Sequence, residues 1–160
     1  IERNSLHAQV SNLLREELAH CGLEPSKSEY VLQYEGTRPR IEISYIENGA
    51  RHFVDATACQ GWTVKQVDAC VTAKEREKHN AYDAPMKLID CPPDRLTVFV
   101  FSHTGLIASK SLKWLRKLYA NSATSRTATQ FFINFHHAIM RAQATVIRKT
   151  TGSYARRMVT

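Results

Sequence analysis

The sequence predicts an α/β fold, with a central mixed β-sheet of about four strands flanked by helices and a C-terminal helical extension. Two stretches lead to it. Ile41-Glu-Ile-Ser-Tyr-Ile-Glu-Asn-Gly-Ala-Arg-His-Phe-Val-Asp55 sets β-prone runs on either side of Asn48-Gly49, a dipeptide suited to a two-residue type I′ turn. Leu96 to Phe101 is almost continuously apolar, as in a strand buried on both faces. Helical three-four spacing of apolar residues before, between and after these stretches supplies the flanking layers. At 160 residues and 43% hydrophobic content the chain is the size of one domain and needs no staples to bury a core. We read residues 1–120 as the α/β core and 121–160 as a helical extension of the same domain.

The first helix is expected from Ser5 to His20, where Leu6, Val10, Leu13, Leu14 and Leu18 recur at helical spacing, with Asn4 or Ser5 as cap and Cys21-Gly22 as the stop. Glu17 falls on that apolar stripe, as an edge residue that snorkels or a carboxylate aimed at a site. A short strand from Tyr30 to Tyr34 leads through Gly36-Thr-Arg-Pro39 into the hairpin. With Asn48 and Gly49 as the loop, Glu47 faces Ala50, and counting outward puts Glu42 opposite Asp55, Cβ atoms roughly 5 Å apart. Ile41, Ile43 and Tyr45 then share one face with Val54 and Ala56. Arg40, Glu42 and Ser44 share the other with Phe53, Asp55 and Thr57.

Thr63 caps a helix expected from Val64 to Tyr82, whose stripe of Val64, Val67 and Val71 extends in phase onto Lys74 and Lys78. Residues 83–94, with Pro85, Pro92 and Pro93, read as loop. After the buried strand come a helix from Ala108 to Tyr119, burying Leu112, Leu115 and Leu118, and a Ser/Thr-rich joint. A helix over roughly Gln130 to Lys149 follows, with Phe132, Phe135, Ile139 and Val146 on one side. The tail carrying Arg156 and Arg157 is expected to fray or to bind something.

An excess of 22 Lys+Arg over 15 Asp+Glu gives a net charge of +7, which favours a polyanionic partner such as nucleic acid or an acidic membrane surface. The four cysteines are scattered, with no Cys-x-x-Cys pair, which argues against a zinc knuckle and points to a reducing compartment. No apolar run has membrane-spanning length. The chain begins at Ile1, as expected of a domain cut from something larger.

Paired carboxylates on a hairpin are a natural seat for a hard divalent cation that keeps waters for a phosphate substrate. A nearby lysine can orient the attacking water or stabilise pentacovalent charge, and the combination is phosphodiester hydrolysis. The same acids can instead be bridged by Arg40, on their face. A third possibility, a site built on His103, His136 and His137, is disfavoured because the adjacent pair cannot share one helix face.

The order of helix, acid-bearing hairpin, lysine-bearing helix and buried strand is similar to the PD-(D/E)XK, or restriction-endonuclease-like, nucleases. Arg3-Asn4 with Leu6, Gly22, Arg38-Pro39, Val54-Asp55-Ala-Thr57, Ala73-Lys-Glu-Arg-Glu-Lys78-His79 with Tyr82, Phe99-Val-Phe101 and Thr104-Gly105 resemble, more narrowly, the endonuclease domain of site-specific non-long-terminal-repeat retrotransposons. The resemblance covers about Glu2 to Leu118 in short motifs. It implies a restriction-endonuclease-like fold and a Mg²⁺- or Mn²⁺-dependent DNA endonuclease that nicks a chromosomal target. It also implies a nuclear location and a larger parent protein with a reverse transcriptase. Carried onto this chain, it makes Asp55 a metal ligand, and Lys78 or Lys74 the amine that the family moves from strand to helix, Thr57 standing in the vacated place. The family's first acid directly follows Arg-Pro or lies one residue on; here Arg40 and Ile41 stand there, and Glu42 is the candidate replacement. Glu17 matches the first-helix Glu of many of these nucleases and would ligate through water. Arg38, Arg40, Lys110, Lys113, Arg116 and Lys117 are the candidate nucleic-acid contacts. The rival reading is a catalytically inactive nuclease-like module that binds nucleic acid or a protein partner.

Overall fold

A computed structural model describes residues 2–159, with side chains described for 6–153 and 155–158. The elements run α1 (Glu2–His20), β1 (Tyr30–Val31), β2 (Arg40–Ile41), β3 (Ile43–Glu47), β4 (Ala50–Cys59), α2 (Val64–Lys87), β5 (Leu96–Ser102), α3 (Ser109–Ala120) and α4 (Ala128–Val159). A three-stranded mixed sheet, ordered β3-β4-β5, is antiparallel on one side of β4 and parallel on the other, and a separate two-stranded sheet pairs β1 with β2. The parallel pair requires a crossover, which α2 supplies.

The hairpin forms in the expected register, Glu47 facing Ala50 and Ile43 facing Val54, with Asn48 and Gly49 both at positive φ as a type I′ turn requires. The ladder then stops. Glu42 lies in a bend between β2 and β3, so Ile41 turns away from Ala56 and pairs with Tyr30. The expected oily face is therefore split. Ile43, Tyr45, Val54 and Ala56 join Phe99 and Phe101 under α1, α3 and α4, whereas Ile41 packs with Phe53, Val98 and Val100 beneath α2. The buried strand of the sequence is β5, central to both clusters, and the sheet is covered by helices on both faces.

Several boundaries differ from the sequence reading. The Asn4 or Ser5 cap is replaced by a helix that already runs from Glu2, and those two side chains lie outside the described set. Val64 is exposed at the first turn of α2. That helix does not end at Tyr82 but continues through Pro85 to Lys87. The proline gives up one backbone hydrogen bond there and crowds the carbonyl of Ala81, and the fully buried Met86 anchors the last turn beyond it. In α4 the buried row is Phe131, Phe135, Ala138 and Ile139; Phe132 is half-buried and Val146 exposed. The tail does not fray, since α4 stays helical to Val159. Among the described residues no helix is long and apolar enough to cross a membrane.

A carboxylate is buried in the helical layer. Glu17, 1% exposed, accepts a hydrogen bond from the Tyr119 hydroxyl at 2.8 Å and is ion-paired with Arg126, so a charge on α1 is neutralised from α3 and from the α3–α4 joint. Removing one partner of a buried pair leaves an uncompensated charge. Arg126→Ala should therefore lower unfolding free energy by about 3 kcal/mol in urea titrations. Arg126→Ala combined with Glu17→Gln should recover part of that loss; strictly additive losses would show that the two side chains are not coupled.

Candidate active site

Asp55 occupies the middle of β4, paired with Val98 of β5 and just past the end of the β3 ladder, on the face covered by α2. Its side chain is 3% exposed, and Lys78 on α2 places Nζ 3.0 Å from Oδ2. Among the described residues nothing gives this buried oxygen a well-directed hydrogen bond, so the Lys78 ammonium meets it as a charge. Burial pushes the Asp55 carboxyl up to about 6, the Glu42 charge adds to the push, and Lys78 and His7 oppose it.

Glu42 is held by α1. His7 Nε2 lies 2.5 Å from Glu42 Oε1, and the Ser11 hydroxyl donates to Oε2 at 2.8 Å. Arg15 donates to the Glu42 backbone carbonyl at 2.7 Å. His7, Ser11 and Arg15 are spaced i, i+4, i+8, one straight row on the helix, beside the buried row of Leu6, Val10, Leu14 and Leu18. Glu42 Oε2 also accepts the Ala56 backbone N–H at 3.0 Å, taking the place of the ladder bond lost at the bend. The Ala56 carbonyl in turn lies 2.7 Å from His7 Nε2. The Glu42 contact is the largest influence on His7 and raises its pKa, against the effect of burial.

The structure thus brings together Asp55, Glu42 and Lys78 from the sequence-derived set. It sets Lys74 one turn earlier, within electrostatic reach of Cys59 and 3.9 Å from Glu77. Glu17 is not brought here, because its carboxylate is engaged by Tyr119 and Arg126. Arg40 does not bridge the acids; it points outward to Glu29 at 3.5 Å. Tyr82, one turn beyond Lys78, donates its hydroxyl to the Arg40 carbonyl at 2.8 Å and so ties α2 to β2. Thr57 is buried on the same strand. Arg38, Lys113, Arg116 and Lys117 are exposed, and Lys110 pairs with Glu75 at 2.5 Å. His136 and His137 are exposed on α4, and His136 Nε2 contacts the Gly105 carbonyl at 2.9 Å. All four cysteines are free thiols.

Sequence reasoning missed His7, Ser11 and Arg15. The signal was the polar i, i+4, i+8 row next to the leucine row, which marks a helix face turned toward something polar but does not name it.

Among the described residues no three His, Cys, Asp or Glu side chains already surround an ion-sized space. The donor set nevertheless suits a divalent cation: the Asp55 oxygen lacks a directed hydrogen bond, and Glu42 and the Ala56 carbonyl present further oxygens to a single ring nitrogen. In the structure the Asp55 oxygen faces the Lys78 ammonium, and the Glu42 oxygens face His7 Nε2, the Ser11 hydroxyl and the Ala56 N–H. No protein-family model matches the chain, and no curated protein matches it either.

The raised Asp55 pKa has a stability consequence. A carboxyl near 3.8 when unfolded and about 6 when folded binds more protons in the folded state across that interval. Its contribution favours folding at low pH and is lost as pH rises from 4 to 6. Relative to Asp55→Asn, the wild type should lose up to about 3 kcal/mol over that window in urea titrations; parallel profiles would mean that burial does not perturb Asp55.

Proposed function

We propose that the chain is a divalent-metal-dependent DNA endonuclease with a restriction-endonuclease-like arrangement, the nicking part of a larger retrotransposon-type protein. By resemblance its partners are DNA and a reverse transcriptase, and its compartment is the nucleus. The observation that carries the reading is the Asp55–Lys78 contact: a buried strand carboxylate, lacking a directed hydrogen bond, met by a lysine from the next helix. The amine comes from α2, while the position two residues after Asp55 on the strand holds Thr57.

In this reading Asp55 and Glu42 hold Mg²⁺ or Mn²⁺, which supplies charge neutralisation and an acidified water. Lys78, fixed by α2 and still 21% exposed, orients the attacking water and stabilises negative charge building on the phosphorane. Tyr82 fixes α2 against β2 and so keeps Lys78 over the strand. Exposed Lys113, Arg116 and Lys117 on α3 offer sequence-independent phosphate contacts.

A second reading is favoured by one observation: Glu42 already has both oxygens occupied, by His7 on one side and by Ser11 and the Ala56 N–H on the other. An inactive module of this kind binds DNA identically with and without divalent ions.

Supercoiled-plasmid nicking separates the two. With Mg²⁺ or Mn²⁺ the wild type should nick, Asp55→Ala should lose at least about 10³-fold and Lys78→Ala about 10²-fold. Lys74→Ala should stay within about threefold, since Lys74 does not reach Asp55. A folded wild type that binds DNA in a salt-dependent way but never nicks, or an Asp55→Ala protein that nicks equally well, would overturn the endonuclease reading in favour of the inactive module.

A further inference from the structure

We propose that His7 is itself a ligand of the bound ion, through Nε2, making the site a mixed nitrogen–oxygen centre that prefers a first-row transition ion such as Mn²⁺ over Mg²⁺. This rests on the reading of Asp55 and Glu42 as metal-binding carboxylates, and it assigns a residue that neither the hairpin pattern nor the α2 phase singles out.

The geometry of the ring nitrogen carries the argument. His7 Nε2 approaches two oxygens at once, Glu42 Oε1 at 2.5 Å and the Ala56 carbonyl at 2.7 Å. One N–H has one axis and cannot point well at both. Two atoms bound at right angles to the same small divalent ion, each at about 2.1 Å, lie about 3 Å apart. The nitrogen thus lies slightly closer to each oxygen than two ligands of one ion lie to each other, and small outward movements accommodate one. A cation entering among them replaces a single proton: the ring keeps its hydrogen on Nδ1, and the Nε2 lone pair goes to the metal.

The ring is also delivered from a rigid element. His7 lies between the buried Leu6 and Val10 on α1, and Ser11 one turn on already positions Glu42, so nitrogen and carboxylate are set by the same helix. An imidazole nitrogen suits transition ions, whereas magnesium prefers all-oxygen shells and retains its water. The ring side chain is 39% exposed, so the site has an opening to solvent beside it.

The test reads metal binding directly on the 160-residue chain. Calorimetric titration with MnCl₂ and with MgCl₂ should show Mn²⁺ bound about tenfold or more tightly, and pulsed electron paramagnetic resonance of the Mn²⁺ form should show coupling to an imidazole nitrogen. His7→Ala and His7→Gln, checked for folding by circular dichroism, should lose that coupling. Each should weaken Mn²⁺ at least about tenfold while moving Mg²⁺ no more than about threefold. Wild-type Mn²⁺ spectra without nitrogen coupling, or a His7 variant that keeps both coupling and affinity, would overturn the assignment. Asp55→Ala distinguishes the levels. If it abolishes Mn²⁺ binding while the His7 variants bind like wild type, only the His7 assignment fails. If it binds like wild type, the carboxylate reading fails with it.

Discussion

A hairpin that places one carboxylate across from another must relieve the repulsion or break, and this one does both. Asp55 stays in the ladder, in the centre of the sheet, and takes a lysine from the helix above it. Glu42 leaves the ladder and turns its side chain back onto the Ala56 N–H that the departing strand would have bonded. The carboxylate thereby does the work of a backbone carbonyl, which satisfies a buried donor at the point where the strand bends. The bend in turn sends Ile41 to the opposite face, lets β2 pair with β1, and opens the edge of β4 just where the acids lie.

The same bend decides what α1 can do. Its leucine row packs against the sheet, and the row beside it, His7, Ser11 and Arg15, meets Glu42 from its two side-chain oxygens to its backbone carbonyl. A single helix therefore provides both a wall of the core and the holder of one carboxylate. Packing the apolar row fixes the rotation of α1, and that rotation aims the polar row. Substitutions in Val10 or Leu14 would be felt at Glu42 through the rotation of α1, because interiors transmit small shifts.

What could be read in the sequence followed from local geometry. The Asn48-Gly49 turn gave the register from Ile43 to Glu47, and the helix phase gave Lys74 and Lys78 together, of which Lys78 reaches Asp55. What could not be read depended on tertiary choices. Strict alternation cannot foresee a bend at Glu42, because the competing partner for Ile41 is Tyr30, from a segment with little pattern of its own. Glu17, on the apolar stripe of α1, was open to reading as a site carboxylate, and only Tyr119 and Arg126, both distant in sequence, make it a structural charge. Pro85 was misleading because the burial of Met86, a tertiary contact, holds the last turn of α2 in place despite the hydrogen bond that the proline removes.

The Glu17 cluster links the C-terminal extension to the site by a physical route. Arg126 stands just before the start of α4, and its partner is nearly three turns along α1 from His7. Phe131 and Phe135 of α4 pack edge-to-face against Phe99 and Phe101 of β5 in the same cluster that holds Leu6 and Val10. The extension therefore fixes α1 at one end by charge and along its length by packing, while Glu42 holds it at the other end through hydrogen bonds. A buried charge contributes little net stability, but it is intolerant of displacement, since sliding α1 by one residue would strip Glu17 of both partners. That intolerance sets the register of α1 against the sheet and with it the distance from His7 Nε2 to the oxygens of Glu42 and Ala56.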